Sequence, residues 1–229
     1  MEPIQISAKV LGQVAMPDFC PRCFWIKLHT QKLPWQIFPG IFSTIDAYTK
    51  KIVHQWIDRK EGRPKFIDDL GITGYMKVPH WSKFRTETEF GIILSGAPDD
   101  LLVCRDDTIH IPDYKTAKFT ETQDKLYPMY AAQVNGYAKI AMATGLNVTG
   151  TSLIYMEPQT DEKAVELCGK MSKYFTMPFN PHFLPVELNI ESLDPLLERA
   201  RKIYDSHVPF GRENCPDCIA LKQIIGITI

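Results

Sequence analysis

The sequence predicts an α/β fold, a mixed central sheet flanked by helices, over a chain of 229 residues. Three observations carry that reading. Segments with helix and strand periodicity follow one another in the order helix, strands, helix, strand. Hydrophobic residues make up 45% and charged residues 23%, the balance of a globular chain that can bury a sizeable core. No apolar run approaches membrane-spanning length, and the opening MEPIQISAKV has no signal-peptide core. The expectation is a soluble, cytoplasmic protein forming one domain over residues 1–229, with no membrane partner. A formal net charge of −1 does not announce a nucleic-acid binder, although a local basic groove remains compatible with it.

Up to Phe19 no period is evident, which predicts an irregular or partly extended lead-in. Cys20-Pro-Arg-Cys23 follows, a cysteine pair whose internal proline predicts a tight knuckle. Residues 34–40 read as a proline- and glycine-punctuated loop. From Phe42 to Arg59, Ile45, Tyr48, Thr49, Ile52, Val53, Trp56 and Ile57 recur at three- and four-residue steps. They predict a helix capped by Ser43 or Thr44, with Asp46 in its first turn and His54 as an ordinary packing or surface residue. Residues 65–82 are mixed, broken by Gly71, Gly74 and Pro79. Alternation from Phe84 to Leu94 predicts a strand, from which Glu87 or Glu89 could reach a site formed by the following residues.

The stretch Ser95–Lys118 predicts two short strands joined at Arg105-Asp106-Asp107. Asp99 stands at the start of the first. Asp113 and Lys115 stand at the end of the second, two residues apart and so on one face. After a polar crossing at 120–125, Leu126 to Thr144 predicts a helix ended by Gly145. Gln133 and Tyr137 lie four apart on one of its faces. Val148–Met156 predicts a strand, Leu167–Phe175 an extended piece, Val186–Ile190 a strand and Ser192–Ser206 a helix. A second pair, Cys215-Pro-Asp-Cys218, lies near the end of the chain. Cys104 and Cys168 read as small buried apolar residues.

Two carboxylates and a lysine at one place form a recognisable kit. Carboxylate oxygens are hard ligands that suit Mg²⁺ or Mn²⁺, and a lysine ammonium can stabilise charge on a phosphoryl group. The doubled C-x-x-C pattern in a chain of this size favours metal or cluster ligation over disulfides. Cys20, Cys23, Cys215 and Cys218 would pin the two ends of the chain together around Zn²⁺ or an iron–sulfur cluster.

The series Gly96-Ala-Pro-Asp99, Asp113-Tyr-Lys115 and Gln133-Val-Asn-Gly-Tyr137 resembles the motif series of the PD-(D/E)XK nuclease superfamily in its RecB-like branch. The resemblance implies a restriction-endonuclease-like core over 43–156 and a divalent-metal-dependent DNA nuclease acting on single strands or ends. It implies Asp99 and Asp113 as metal ligands, joined by the Tyr114 carbonyl and by Asp46, which stands where the family carries a metal-binding histidine. Asp46 serves equally well, on the residues alone, as a first-turn acid favoured by the helix dipole. Lys115 would assist the attacking water, and Gln133 and Tyr137 would steady the substrate strand. Implied partners are DNA and a helicase or other repair or recombination protein. Cys20-Pro-Arg and the aromatics after it are similar to the N-terminal pattern of the CRISPR-adaptation nucleases, which implies a [4Fe–4S] cluster. Those proteins place one cysteine at the N-terminus and three at the C-terminus, whereas this chain divides them two and two. Two other readings stand beside the nuclease: a catalytically inactive nucleic-acid-binding subunit, and a structural zinc protein.

Overall fold

The computed structural model describes residues 2–30, 40–59, 64–120, 125–169 and 176–228. The expected loop at 34–40 and the polar crossing at 120–125 lie mostly outside them. The fold is mixed α/β, and its strands divide into two mixed sheets flanked by helices.

The first sheet has three strands in the order β1 (Ile4–Ser7), β4 (Ile92–Ser95), β3 (Arg85–Glu87). β1 runs parallel to β4 and β3 antiparallel to it. The predicted strand over Phe84–Leu94 is therefore two strands of a hairpin. Gly91, at φ 65°, closes its turn, with the Gly91 N–H donating to the Thr88 carbonyl at 3.2 Å. The N-terminal lead-in is ordered as well. Ser7 ends β1 and caps α1 (Ala8–Gly12), its hydroxyl accepting from the Val10 N–H at 3.2 Å. A strand of four residues and a helix of five are too short to show a period.

The second sheet has the order β2 (Ile72–Tyr75), β5 (Leu102–Cys104), β6 (Ile109–Lys115), β7 (Val148–Pro158), β8 (Phe179–Val186). β6 occupies the middle, antiparallel to β5 and parallel to β7. Parallel neighbours need a crossover, which α4 (Tyr127–Ala143) supplies. β8 contains Pro181 and Pro185, which an edge strand tolerates because one side of its backbone has no partner. Those prolines concealed it, so the expectation of a strand at Val186–Ile190 overlaps it at Val186 alone. Residues 167–169, expected to be extended, close the helix α5 (Glu162–Gly169); the rest of that segment lies outside the described residues.

Six of the seven residues of β6 are buried, because helices cover both faces. Ile109 and Ile111 pack on the side of α4 with Ala138, Ile140 and Ala141. Tyr114 points the other way, into a cluster with Val53 from α3 (Gly40–Arg59) and with Ile67, Ile72 and Ile154. α4 is itself enclosed: Val134 joins a third cluster with Leu153, Tyr155 and Val186. A helix apolar on most sides, small enough in its alanines to sit between layers, is what such a position requires.

α2 (Pro21–His29), α6 (Asp194–Asp205) and α7 (Pro216–Thr228) gather at the termini. Leu197, Ala200 and Ile203 are buried along α6, and Leu193 is buried just before it, as the period predicts. Among the described residues no helix is long and apolar enough to cross a membrane.

Candidate functional site

Asp113 and Lys115 project from the end of β6 toward α4, where the two-residue strand period puts them. Their side chains form a direct ion pair, and the Lys115 ammonium also lies 4.1 Å from the centre of the Tyr130 ring. Asp113 is 3% exposed. Its Oδ1 accepts from Gln133 Nε2 at 3.2 Å, and the same amide donates to the Tyr137 hydroxyl at 2.7 Å. Apart from the ion pair, Asp113 Oδ2 has no hydrogen-bond partner, and neither has Gln133 Oε1.

Asp99 reaches the same place from the turn between β4 and β5. Its Oδ2 accepts from the Tyr114 backbone N–H at 2.8 Å, which fixes the carboxylate beside Asp113. Burial first, and the charge of Asp113 second, push the Asp99 pKa up to about 8 against the effect of that N–H. For Lys115, burial works against the charge, but the Asp113 carboxylate outweighs it and lifts the pKa above the ordinary lysine value.

Asp46 faces this group from α3 and accepts from Thr116 Oγ1 at 3.4 Å. Burial and the nearby Asp113 raise its pKa, opposed by Thr116. The described part of α3 begins at Gly40, so Asp46 lies beyond the first turn, where the helix dipole has faded. The expected caps Ser43 and Thr44 lie inside the helix, and Thr44 Oγ1 donates back to the Gly40 carbonyl at 3.2 Å. Glu87 and Glu89 are exposed on the β3–β4 hairpin.

Gln133 and Tyr137, expected to steady a substrate strand, are 4% and 5% exposed; Gln133 bonds Asp113, and Tyr137 accepts from Gln133. Tyr137 is seated in turn by Gly96. A Cβ at that position would lie 2.5 Å from Tyr137 Cε1, closer than side chains approach. The glycine of one motif and the tyrosine of another are thus two halves of one contact.

At the termini, Cys20, Cys23, Cys215 and Cys218 form a second site that links the N- and C-terminal regions. Among the described residues they are the one set of three or more His, Cys, Asp or Glu whose ligand atoms all lie within 4.8 Å of one another. Each cysteine pair begins a helix rather than forming a free knuckle. Cys20 caps α2 with Pro21 next to it, and Cys215 precedes Pro216 of α7 in the same way. Helix N-termini offer unpaired N–H groups and a favourable dipole to thiolates.

No protein-family model matches the chain, and no curated protein does. Among solved structures, it is similar to a phage-related exonuclease from Haemophilus somnus 129PT at 10% identity and a TM-score of 0.48, over 89% of this chain and 94% of that one. It is also similar to the protein SSO0001 at 12% identity and a TM-score of 0.41, over 91% and 81% of the two chains. Likeness of this degree carries no conclusion about activity, so the functional reading rests on the site itself.

Three residues of that site escaped the sequence reading. Asp100 is fully buried and pairs with His54 Nε2 at 2.8 Å, while the Tyr114 hydroxyl donates to it at 3.4 Å. His54, expected to be ordinary, stacks on Tyr75 at 3.6 Å between ring centres. Lys50 donates to the Asp99 main-chain carbonyl. Asp46, Lys50 and His54 follow at steps of four, so α3 lays one polar stripe across the turn that carries Asp99 and Asp100. That spacing was the available signal. On its other side α3 lines an apolar cleft of about 270 Å³, with Tyr48, Trp56, Phe66, Met156 and Phe179 in its wall.

Proposed function

We propose that this protein is a divalent-metal-dependent DNA nuclease of the PD-(D/E)XK type, hydrolysing phosphodiester bonds at single strands or ends. The observation that carries the reading is the convergence of Asp99, Asp113 and Lys115, from a turn and a central strand, on one buried point backed by Gln133 and Tyr137.

The donor set fits a hard divalent cation. All its atoms are oxygens, one of them, Asp113 Oδ2, has no partner besides the Lys115 ammonium, and the Asp113 charge opposes ionisation of Asp99. Mg²⁺ or Mn²⁺ would be held by Asp99 and Asp113, with the Tyr114 carbonyl and Asp46 as further ligands. Such an ion, when bound, activates water and neutralises charge on the phosphodiester. The protein's own part is positional. The Tyr114 N–H fixes Asp99, and Gln133, steadied by Tyr137, fixes Asp113. Lys115 keeps its proton through the raised pKa and presents a cation to the developing phosphoryl charge. The exposed aromatics Tyr48 and Trp56 offer unpaired bases a stacking surface, which favours single strands or frayed ends. Such an enzyme would serve DNA repair, recombination or defence.

The test is cleavage of end-labelled single- and double-stranded DNA with Mg²⁺ or Mn²⁺, beside Lys115→Ala and Asp113→Asn. The expected result is metal-dependent cutting that falls by about 10²–10³-fold in either variant. Equal cutting by both variants would place the chemistry elsewhere. Failure of the metal-loaded protein to cut any substrate while still binding DNA would leave an inactive binding subunit.

A further inference from the structure

The cysteine site departs from what the sequence resemblance implies. We propose that Cys20, Cys23, Cys215 and Cys218 hold a single tetrahedral zinc ion rather than a [4Fe–4S] cluster. The sulfur spacing carries the inference. Cys20 and Cys218 Sγ lie 3.6 Å apart, Cys23 and Cys215 Sγ 3.6 Å, and Cys23 and Cys218 Sγ 3.5 Å. All four fall within 4.8 Å of one another. Four thiolates around one ion at about 2.3 Å stand about 3.8 Å from each other by tetrahedral geometry. The thiolates of a four-iron cluster each bind a different iron and so stand on the order of 6 Å apart. Three of the pairs are already slightly tighter than the one-ion value, all lie within 4.8 Å, and every pair would have to open to admit a cluster.

The surroundings oppose that opening. Cys20 and Cys215 are buried, and each pair is set in the first turn of its own helix. The chain before the second pair presses on the sulfurs: a Cβ on Gly211 would lie 2.8 Å from Cys218 Sγ and 3.6 Å from the Arg22 side chain. Arg212 closes the next position, its backbone N–H donating to Cys20 Sγ at 3.2 Å and its guanidinium to the Asp18 carbonyl at 2.9 Å. An N–H donor to a ligand sulfur is the kind of outer contact that orients a metal-bound thiolate. Two symmetric C-x-x-C pairs are also the spacing of structural zinc. Four sulfurs at tetrahedral spacing, with no position left open, give a structural ion and not a catalytic one.

The test supplies iron, zinc and cysteine together during expression and purifies the full chain without oxygen, so that a labile cluster would survive. Metal analysis and acid-labile sulfide are then measured on the same sample. The expected result is about one zinc per chain with no sulfide and no visible colour. Replacing the ion with Co²⁺ should give the intense visible bands of tetrahedral thiolate cobalt in the unaltered protein, and Cys23→Ser should shift them. Iron and sulfide at about four each per chain, with a brown absorbance, would overturn the proposal. So would stoichiometric iron without sulfide, or folded protein that retains neither metal and takes up no Co²⁺. None of these readouts involves DNA cleavage, so the outcome is independent of the nuclease reading.

Discussion

His110 shows how the burial that serves the site also shapes the protein's response to pH. It lies three residues before Asp113 on β6, its Nε2 is 2.8 Å from Ser152 Oγ, and burial holds its pKa down to about 4. In the unfolded chain the same ring titrates near 6.5. The folded state is therefore favoured while His110 is neutral in both states, above about pH 6.5. That advantage is lost as the pH falls from 6.5 to 4, by about 3 kcal/mol. Urea midpoints measured across this window should fall, and His110→Gln should flatten the fall relative to the unaltered protein. Parallel slopes would mean that the ring is not the titrating group. The site's other residues differ in how far local sequence betrays them. Asp113 and Lys115 share a face by strand period, and Asp99 sits in a turn that glycine and proline announce. Asp100, His54 and Lys50 become partners because α3 packs against β2 and β6; the four-residue polar spacing marks the stripe on α3, but no local pattern encodes the turn it meets.

At the scale of elements, sequence period located what was long enough to have one. α3, α4, α6, β6 and β7 stand within a few residues of their expected ends. β1 and α1 are shorter than a period can reveal, the β3–β4 hairpin hides a turn inside an apparent alternation, and β8 carries prolines that only its edge position permits. The contact between α4 and the β4–β5 turn offers the sharpest test at this scale. Gly96→Ala would put a methyl group 2.5 Å from the Tyr137 ring, so the ring must move. Moving it disturbs Gln133, bonded to the Tyr137 hydroxyl at 2.7 Å, and through Gln133 the carboxylate of Asp113. The expected cost is about 1–3 kcal/mol of stability, the range for overpacking in a close-packed interior. Combining Gly96→Ala with Tyr137→Ala should recover part of that loss, since the second change empties the space the first one needs. Denaturant titration of the two single variants and the double variant measures the coupling. Simple additivity would show that the two residues do not share one contact.

At the scale of the whole molecule, the cysteine site joins segments 195 residues apart, from Cys23 to Cys218, and so decides how the ends are held. The two helices it joins are anchored unequally. α2 has independent ties: Phe24 is 3% exposed in the main core, Trp25 Nε1 donates to the Ser206 carbonyl at 3.0 Å, and Trp25, His29 and Tyr204 stack in series. α7 is less deeply seated, since no residue in it with a described side chain is buried and Ile227 is 85% exposed. Its attachment therefore depends more on the cysteine site than that of α2 does, and the binding free energy of an ion held there would act as folding free energy. Stripping the ion with a strong chelator should release α7 first and α2 to a lesser degree. The sheet that carries Asp113 should stay closed. Hydrogen exchange followed by mass spectrometry reads that order directly. Fast exchange should appear in residues 216–228, an intermediate change in 21–29, and little change in 109–115. Equal loss of protection in all three would mean that the ion holds the entire fold rather than its terminal helices.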